Sequence, residues 1–503
     1  ANAAARSEIE IRGARIAALQ TKTDADYVGR LVKAGAGTLI LTGDNSYTGG
    51  TQLQGGTLGV GSSTALGTGT LAMADATTLQ AAADGLALAN AITVSGIGNI
   101  DTQALGLTLA GDIADGASPG GLAKLGTGTL TLSGRSSYSG PTGVVEGGLR
   151  AGAAGSFSPR SAFYLASAGR LELAGFDQTI GSLAGAGEVA LGTGTLTTGG
   201  DGTSSAYAGR IGGSGGLVKT GAGAFELAGA NSYSGDTVVA AGALRAGAAN
   251  AFSAASAMRV QSGAVLDLAG HGQRIAGMTN AGLVSLQGAV PGTTLTVAGP
   301  WVGENGVLGL GTAGGDRLLL SGSTAIDSGL TTVRIASVAG LGAPTLGKGV
   351  TLVGTEGGAS VQGNAFVLAG EHVDAGAFQY RLHNDTSGSY LSSSTPLGLT
   401  TYRVEAPLFA ALPAQLRQGN LAMLGNMRLR VGDDLRATGD AASPGGDRRA
   451  WGRVISTDLD IRQRGPVSPE SEGRLNGFQA GTDLLATPNW RAGLYVGQLE
   501  GNV

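Results

Sequence analysis

The string LVKAGAGTLILTGDNSYTGGT at residues 31–51 is written again, altered, as LAKLGTGTLTLSGRSSYSGPT at 122–142 and as LVKTGAGAFELAGANSYSGDT at 217–237. A segment present three times in one chain is a building unit that tiles or stacks. Aligned on Lys33, Lys124 and Lys219, the copies lie 91 and 95 residues apart, and Tyr47, Tyr138 and Tyr233 follow fourteen residues later in each. The second and third copies run on in register: Leu149-Arg150-Ala151-Gly152 returns as Leu244-Arg245-Ala246-Gly247, and Gln178 and Ile180 return as Gln273 and Ile275.

Within a copy the side chains alternate. Leu39 and Leu41, Leu130 and Leu132, and Phe225 and Leu227 stay large and apolar, while the residue between them is Ile40, Thr131 or Glu226. A position that accepts glutamate faces water, so its neighbours face a core. Gly43-Asp44-Asn45-Ser46 supplies turn chemistry. A second strand begins at Thr51, Thr142 or Thr237, and a third follows Gly56, Gly147 or Gly242. Three short strands and their turns make a coil of about 20–29 residues, so each repeat period holds about four coils. The glycines mark corners where the chain turns too sharply for a side chain. The expectation for residues 1–300 is a right-handed parallel β-helix, a solenoid carrying repeats at 31–61, 122–152 and 217–247. A β-propeller needs a period of about 40–50 residues, and a β-sandwich needs longer antiparallel strands.

Composition agrees. Glycine supplies 93 of 503 residues, charged residues 14% and aromatics 4%, which disfavours helix and large aromatic cores. Thirteen prolines and no three-residue period exclude collagen. The absence of cysteine rules out disulfides and thiolate metal sites and suits a chain that crosses an oxidising compartment. A net charge of −4 with five lysines argues against nucleic acid as a partner. The start at Ala1 has no basic or apolar leader, so any signal peptide is expected to have been removed. No apolar run of transmembrane-helix length occurs.

Beyond about residue 300 the repeat stops. Phe366, Phe378, Tyr380 and Tyr390 bring aromatics to a module at 301–398, as expected of a cap that seals the open end of a solenoid. In a linker at 399–445, residues 414–435 have helical spacing at Leu416, Asn420, Met423, Met427 and Val431, with Pro413 at the expected start. Arg417, Asn420, Asn426, Arg428 and Arg430 forbid lipid contact and favour a water-filled pore. From 446 to 503 the pattern becomes longer strands (450–456, 475–485 and 489–499). In the last, Trp490, Ala492, Leu494 and Val496 share one face, the alternation of an outer-membrane β-barrel strand.

The lysine-aligned repeats, the stretch DRLLLSG…FVLAG…VDAGAFQYRLHND…SYLSS (316–393), the helix-bearing YRVEAPLFAALPAQLRQGNLAMLGNMRLRVGDDL (402–435) and AWGRV…GFQAGTDLL…WRAGLYVGQ (450–498) together resemble the pertactin-like bacterial autotransporters of type V secretion. The resemblance implies passenger-associated repeats, a pertactin-type autochaperone cap, a linker helix inside a barrel, and the first strands of that barrel. It implies a passenger displayed on the outer membrane or secreted after release. Some members cut the linker helix at an asparagine, which makes Asn426 the self-cleavage candidate, although Gly425-Asn426-Met427 departs from the usual junction.

Other chemistry is sparse. His271, His372 and His383 have no ligand spacing, and neither metal nor cofactor is expected. Gly309-x-Gly311-x-x-Gly314 matches a dinucleotide fingerprint but lacks the βαβ setting. GGDGTS (199–204) and GGDRLLL (314–320) read as turns rather than calcium sites. The repeat lysines read as turn-edge residues that keep the solenoid soluble. The chain is therefore expected to be a non-enzymatic interaction protein working through loops on a rod. The resemblance points to host partners: a serum complement regulator such as C1 esterase inhibitor, an extracellular-matrix protein or a cell receptor. The alternative is a stalk that presents a separate N-terminal protease. No partner-binding residue can be placed.

Overall fold

The computed structural model describes residues 28–289, 292–311, 315–323, 327–336, 342–395, 397–432, 450–486 and 491–502. They fall into two compact units, one made of residues up to 338 with 350–371 and 382–391, the other of 339–349, 372–381 and 392 onward.

The first unit is a parallel β-solenoid. Leu31, Thr51 and Leu71 stand in register, so a coil advances by twenty residues here. Leu39, Leu58, Leu79 and Ile100 form one inward column, and the last three are wholly buried. Each such side chain removed from water stabilises the stack by about 1.5–3 kcal/mol, and every coil shares that burial with its neighbours. The alternation expected from the repeats holds: Leu130, Leu132, Phe225 and Leu227 are buried, whereas Ile40 is half exposed.

The corner glycines are required sterically. Gly56, Gly147 and Gly242 have φ of +70°, +69° and +65°. A Cβ on any of them would sit 2.5 Å from two carbonyl oxygens of the preceding coil, Gly35 and Gly37, Gly126 and Gly128, or Gly221 and Gly223.

The three copies do not stack face for face. Lys33 heads the column Lys33–Leu53–Met73–Val94–Asp115. Lys124 instead stands in register with Ile100, in the column that begins at Leu39. Leu122–Lys124 of the second copy thus lies over Thr38–Leu41 of the first, not over Leu31–Lys33. The period of 91 residues is not a whole number of coils; it carries the copy one face further round. Any row of repeat lysines along the surface is excluded.

Outside, parallel register lines up opposite charges. Glu226, Arg245 and Asp267 occupy consecutive coils, with Arg245 Nε 3.8 Å from Glu226 and 3.7 Å from Asp267. The turns between strands stack on one another through main-chain bonds, such as Thr68 N–H to Tyr47 O at 3.0 Å and Gly140 N–H to Gly120 O at 2.6 Å. The expected projecting loops are therefore replaced, at these corners, by flush ones.

Parallel stacking continues past residue 300, through Trp301–Leu310 and Asp327–Ile335 to Phe366–Leu368. Val350–Glu356 then pairs antiparallel with Gly388–Ser392, which ends the ladder. Asn384 Nδ2 donates to the Gly363 and Phe366 carbonyls, at 3.1 and 2.9 Å. Trp301 is buried against Phe366 and donates Nε1–H to Thr331 Oγ1 at 2.9 Å. Larger side chains close the end, as a solenoid edge demands.

In the second unit, Val373–Ala375 pairs antiparallel with Tyr380, Gln379 and Phe378. Tyr380 Oη bonds both the N–H and the carbonyl of Ala343. The helix runs from Ala406 to Gly432, so it begins eight residues before the expected 414, and Pro413 lies inside it. Pro407 is the proline of the first turn, where a missing N–H is harmless, and Phe409 N–H already bonds Glu405 O. Residues 433–435 of the expected span lie outside the described residues. Ala450–Arg462, Glu470–Ala486 and Arg491–Asn502 form an antiparallel sheet, with strands of 13, 17 and 12 residues.

Candidate functional site

The most elaborate side-chain chemistry in the solenoid surrounds the repeat lysines. They are not turn-edge residues. Lys33, Lys124 and Lys219 are 7%, 1% and 0% exposed, because they occupy the inward position that Leu53, Val144 and Val239 take in the coils that follow. Lys124 Nζ donates to Leu125 O, Gly126 O and Glu146 O at 3.0, 2.7 and 3.2 Å. Lys219 repeats this on Thr220, Gly221 and Ala241 at 2.6, 2.9 and 3.2 Å. Lys33 does so on Ala34, Gly35 and Gly55 at 3.1, 2.8 and 2.9 Å. An ammonium has three donors, and here all three are used on main-chain carbonyls at a glycine corner. Burial pushes Lys124 down to about 8, against the pull of Glu146 and Asp101; Lys219 is lowered the same way, opposed by Asp201.

The repeat tyrosines anchor the next turn. Tyr47, Tyr138 and Tyr233 each place Oη 2.7 Å from the Oγ1 of Thr51, Thr142 and Thr237. In the later two copies the threonine meets Ser161 or Ser256 at 2.8 Å, and Ser158 or Ser253 donates to the tyrosine carbonyl at 2.5 Å. Gln178 and Gln273 accept from Phe157 and Phe252 N–H at 3.0 and 2.9 Å. Burial pushes the Tyr138 and Tyr233 phenols up to about 12, outweighing their threonine partners. Hydrogen-bonded tyrosines and a lysine tied to carbonyls make a structural joint, not a catalytic site. The matched glutamines were noted in the repeat comparison; the serines and their joint with the tyrosine were not.

The remaining expected positions separate. His372 Nε2 lies 3.6 Å from Asp374, while His271 and His383 belong to the other unit. Among the described residues no group of three metal-ligating side chains occurs. Gly309 lies within a strand, Trp301–Leu310; Gly314 lies outside the described residues. Asp201 accepts from Thr203 N–H and Oγ1–H, and buried Asp316 accepts from the N–H groups of Gly292, Thr293 and Gly311. Both aspartates are turn fasteners. Asn426 falls within the helix, and its side chain lies outside the described residues. A cavity of about 230 Å³ is lined by Gly376, Ala377, Arg403, Glu405, Ala406 and Phe409. Its guanidinium is already flanked by Asp374 and Glu405, each 3.5 Å away.

Residues 31–60, 122–151 and 217–246 match the passenger-associated-transport-repeat family, and residues 278–382 match the autochaperone domain type 1. The chain is a bacterial autotransporter passenger. It is 32% identical over 423 residues to the adhesin BmaC autotransporter of Brucella suis, a match covering 75% of this chain and 12% of that protein. It is also similar to YuaQ, an uncharacterized protein of Escherichia coli (31% identity, 36% of this chain, 14% of that protein), and to the probable autotransporter YfaL of Escherichia coli (39%, 23% and 10%). The chain thus spans a small part of the relatives it matches.

As an autotransporter the protein is displayed at the outer membrane or secreted. The two faces of its sheet 450–502 differ. Val454, Phe478, Leu494 and Val496 are 88%, 53%, 69% and 71% exposed on one face. Beyond this band the same face turns polar, with Arg474 paired to Asp458 and Arg462 to Glu472. The other face buries Ile455, Leu459, Ile461, Gln479 and Asp483. The exposed apolar band alternates with a mixed, half-buried face, the pattern of a strand with lipid on one side. The helix meets the sheet along Gln415, Gly419 and Met423: Gln415 Nε2 donates to Ser471 Oγ at 3.1 Å, and Gln479 Nε2 reaches Met423 O at 3.5 Å. No helix among the described residues is long and apolar enough to cross a membrane.

Proposed function

We propose that this passenger is an adhesin that binds host surface or matrix proteins through the flat faces of its solenoid. The similarity to a protein named as an adhesin carries the reading. The flush corners support faces over loops. On one such face Tyr164 and Val145 are 58% and 47% exposed; Tyr164 stands in register with Gly143 and Ala184, small neighbours that leave its ring accessible. The finer reading, capture of a complement regulator such as C1 esterase inhibitor, rests on the pertactin-like resemblance. We also propose the domain limits 1–300, 301–398, 399–445 and 446–503, with the last two as linker and barrel start.

The test is binding of the purified chain to immobilised matrix proteins and, separately, to C1 esterase inhibitor. Saturable matrix binding weakened at least tenfold by Tyr164→Ala supports adhesion through this face. Binding to the inhibitor alone selects the finer reading. Absence of both overturns the proposal.

A further inference from the structure

The lysine joints are one-sided. Each lysine bonds two carbonyls of its own corner and one in the coil that follows: Gly55, Glu146 or Ala241. None of the three acceptors belongs to the coil before. The hydroxyl bonds join the same pairs of coils: Ser158 and Ser253 donate to the Tyr138 and Tyr233 carbonyls, and Thr142 and Thr237 meet Ser161 and Ser256 in the coil that follows. Asn45 and Asn231 likewise donate forward to Ala65 O and Ala251 O at 2.8 and 2.6 Å. Backward ties exist, from Thr220 Oγ1 to Thr198 O and from Ile211 N–H to Asn231 Oδ1. Others join Thr102 Oγ1 to Leu125 O, Thr127 Oγ1 to Gln103 O and Ser139 Oγ to Asp115, and Asp101 and Asp201 of the preceding coils attract the ammonium; what runs in one direction is the set of hydrogen bonds the ammonium itself donates. Ladder bonds between main chains join every pair of coils and give no direction.

From this asymmetry we propose that each passenger-associated repeat is a stop against unwinding that arrives from the N-terminal side. Coils before a repeat can open while its lysine keeps all three acceptors. Opening that passes the lysine must break its bond to the following coil, leaving buried carbonyls unpaired, and break the tyrosine–threonine–serine joint together. At the other end, the antiparallel pairing of Val350–Glu356 and the Asn384 bonds to the last parallel coil hold the edge closed. The solenoid therefore opens in blocks whose limits are the repeats, rather than coil by coil. The placement of the copies on different faces is no obstacle, because the joint needs only its own corner and the coil after it.

Native-state hydrogen exchange of the whole chain in mild denaturant tests this. In the unmodified protein, protection rises in steps on passing residues 33, 124 and 219; a smooth gradient, or steps elsewhere, overturns the proposal without any variant. In Lys124→Met, exchange in Thr142–Ala151 rises at least tenfold, while Thr78–Ala81 before it and Ala243–Ala246 beyond the next stop stay within about threefold of the parent. An equal rise on both sides of residue 124, or none, overturns it. Should Lys124→Met fail to fold, Lys219→Met gives the same reading on Ala243–Ala246 against Leu196–Thr198.

Discussion

The ammonium of Lys124 reaches from its own coil to the main-chain carbonyl of Glu146 in the next, 3.2 Å away, where burial leaves it 1% exposed. A lysine so placed costs desolvation, and the buried carbonyls of its corner and of Glu146 lose its three bonds if it is removed, only Leu125 O keeping a side-chain donor in Thr102. Lys124→Met is expected to lower stability by about 2–4 kcal/mol, read from the denaturant midpoint. Replacement of exposed Arg135 by alanine serves as the neutral comparison.

The same residue sets a pH dependence. Its folded value is lowered from 10.5 to about 8, so between these limits the unfolded chain holds a proton that the folded one has released. Stability then rises with pH across that window, and below about 8 the buried charge weighs fully against folding. The difference in stability between the parent and Lys124→Met should shift in the parent's favour from neutral pH to about 10. Equilibrium unfolding of both proteins at several pH values measures it, and a flat difference contradicts it.

The second repeat carries a defect. Asn45 and Asn231 bond the coil after them, but the matching residue is Ser136, whose Oγ is buried without a partner. Ser136→Asn restores a donor toward Ser156 O, the counterpart of Ala251 O. A gain of about 1 kcal/mol is expected, seen as a higher denaturant midpoint; a loss would show that the corner has no room for the amide.

Backbone strain marks a further position. Ala174 and Ala269 hold φ of +53° and +51° at equivalent corners. Ala269→Gly should stabilise by about 0.5–1 kcal/mol. Gly147→Ala is the opposite case, with φ of +69° and two carbonyl oxygens 2.5 Å from the new Cβ, and should destabilise by more than about 2 kcal/mol. Thermal unfolding of the two variants side by side separates release of strain from its introduction.

By itself the sequence determined the strands, the corners and the core. Alternation at Leu39 and Leu41 around Ile40, glycines at 56, 147 and 242, and three copies of one string are local patterns, and local patterns dictate local geometry. The helix start was misplaced because Pro413 has the look of a first-turn residue, and only the main-chain bonds show that the first turn is at Pro407. The tertiary structure alone decided where each copy faces and what the lysines do. A charged side chain flanked by glycines reads as surface, because nothing in the string shows that three carbonyls converge on its ammonium, one of them from a coil more than twenty residues away. The winding of the chain also sets the rotation between copies. A period of 91 residues divides into whole coils or not according to the length of each intervening turn, and only the stacked coils reveal the sum.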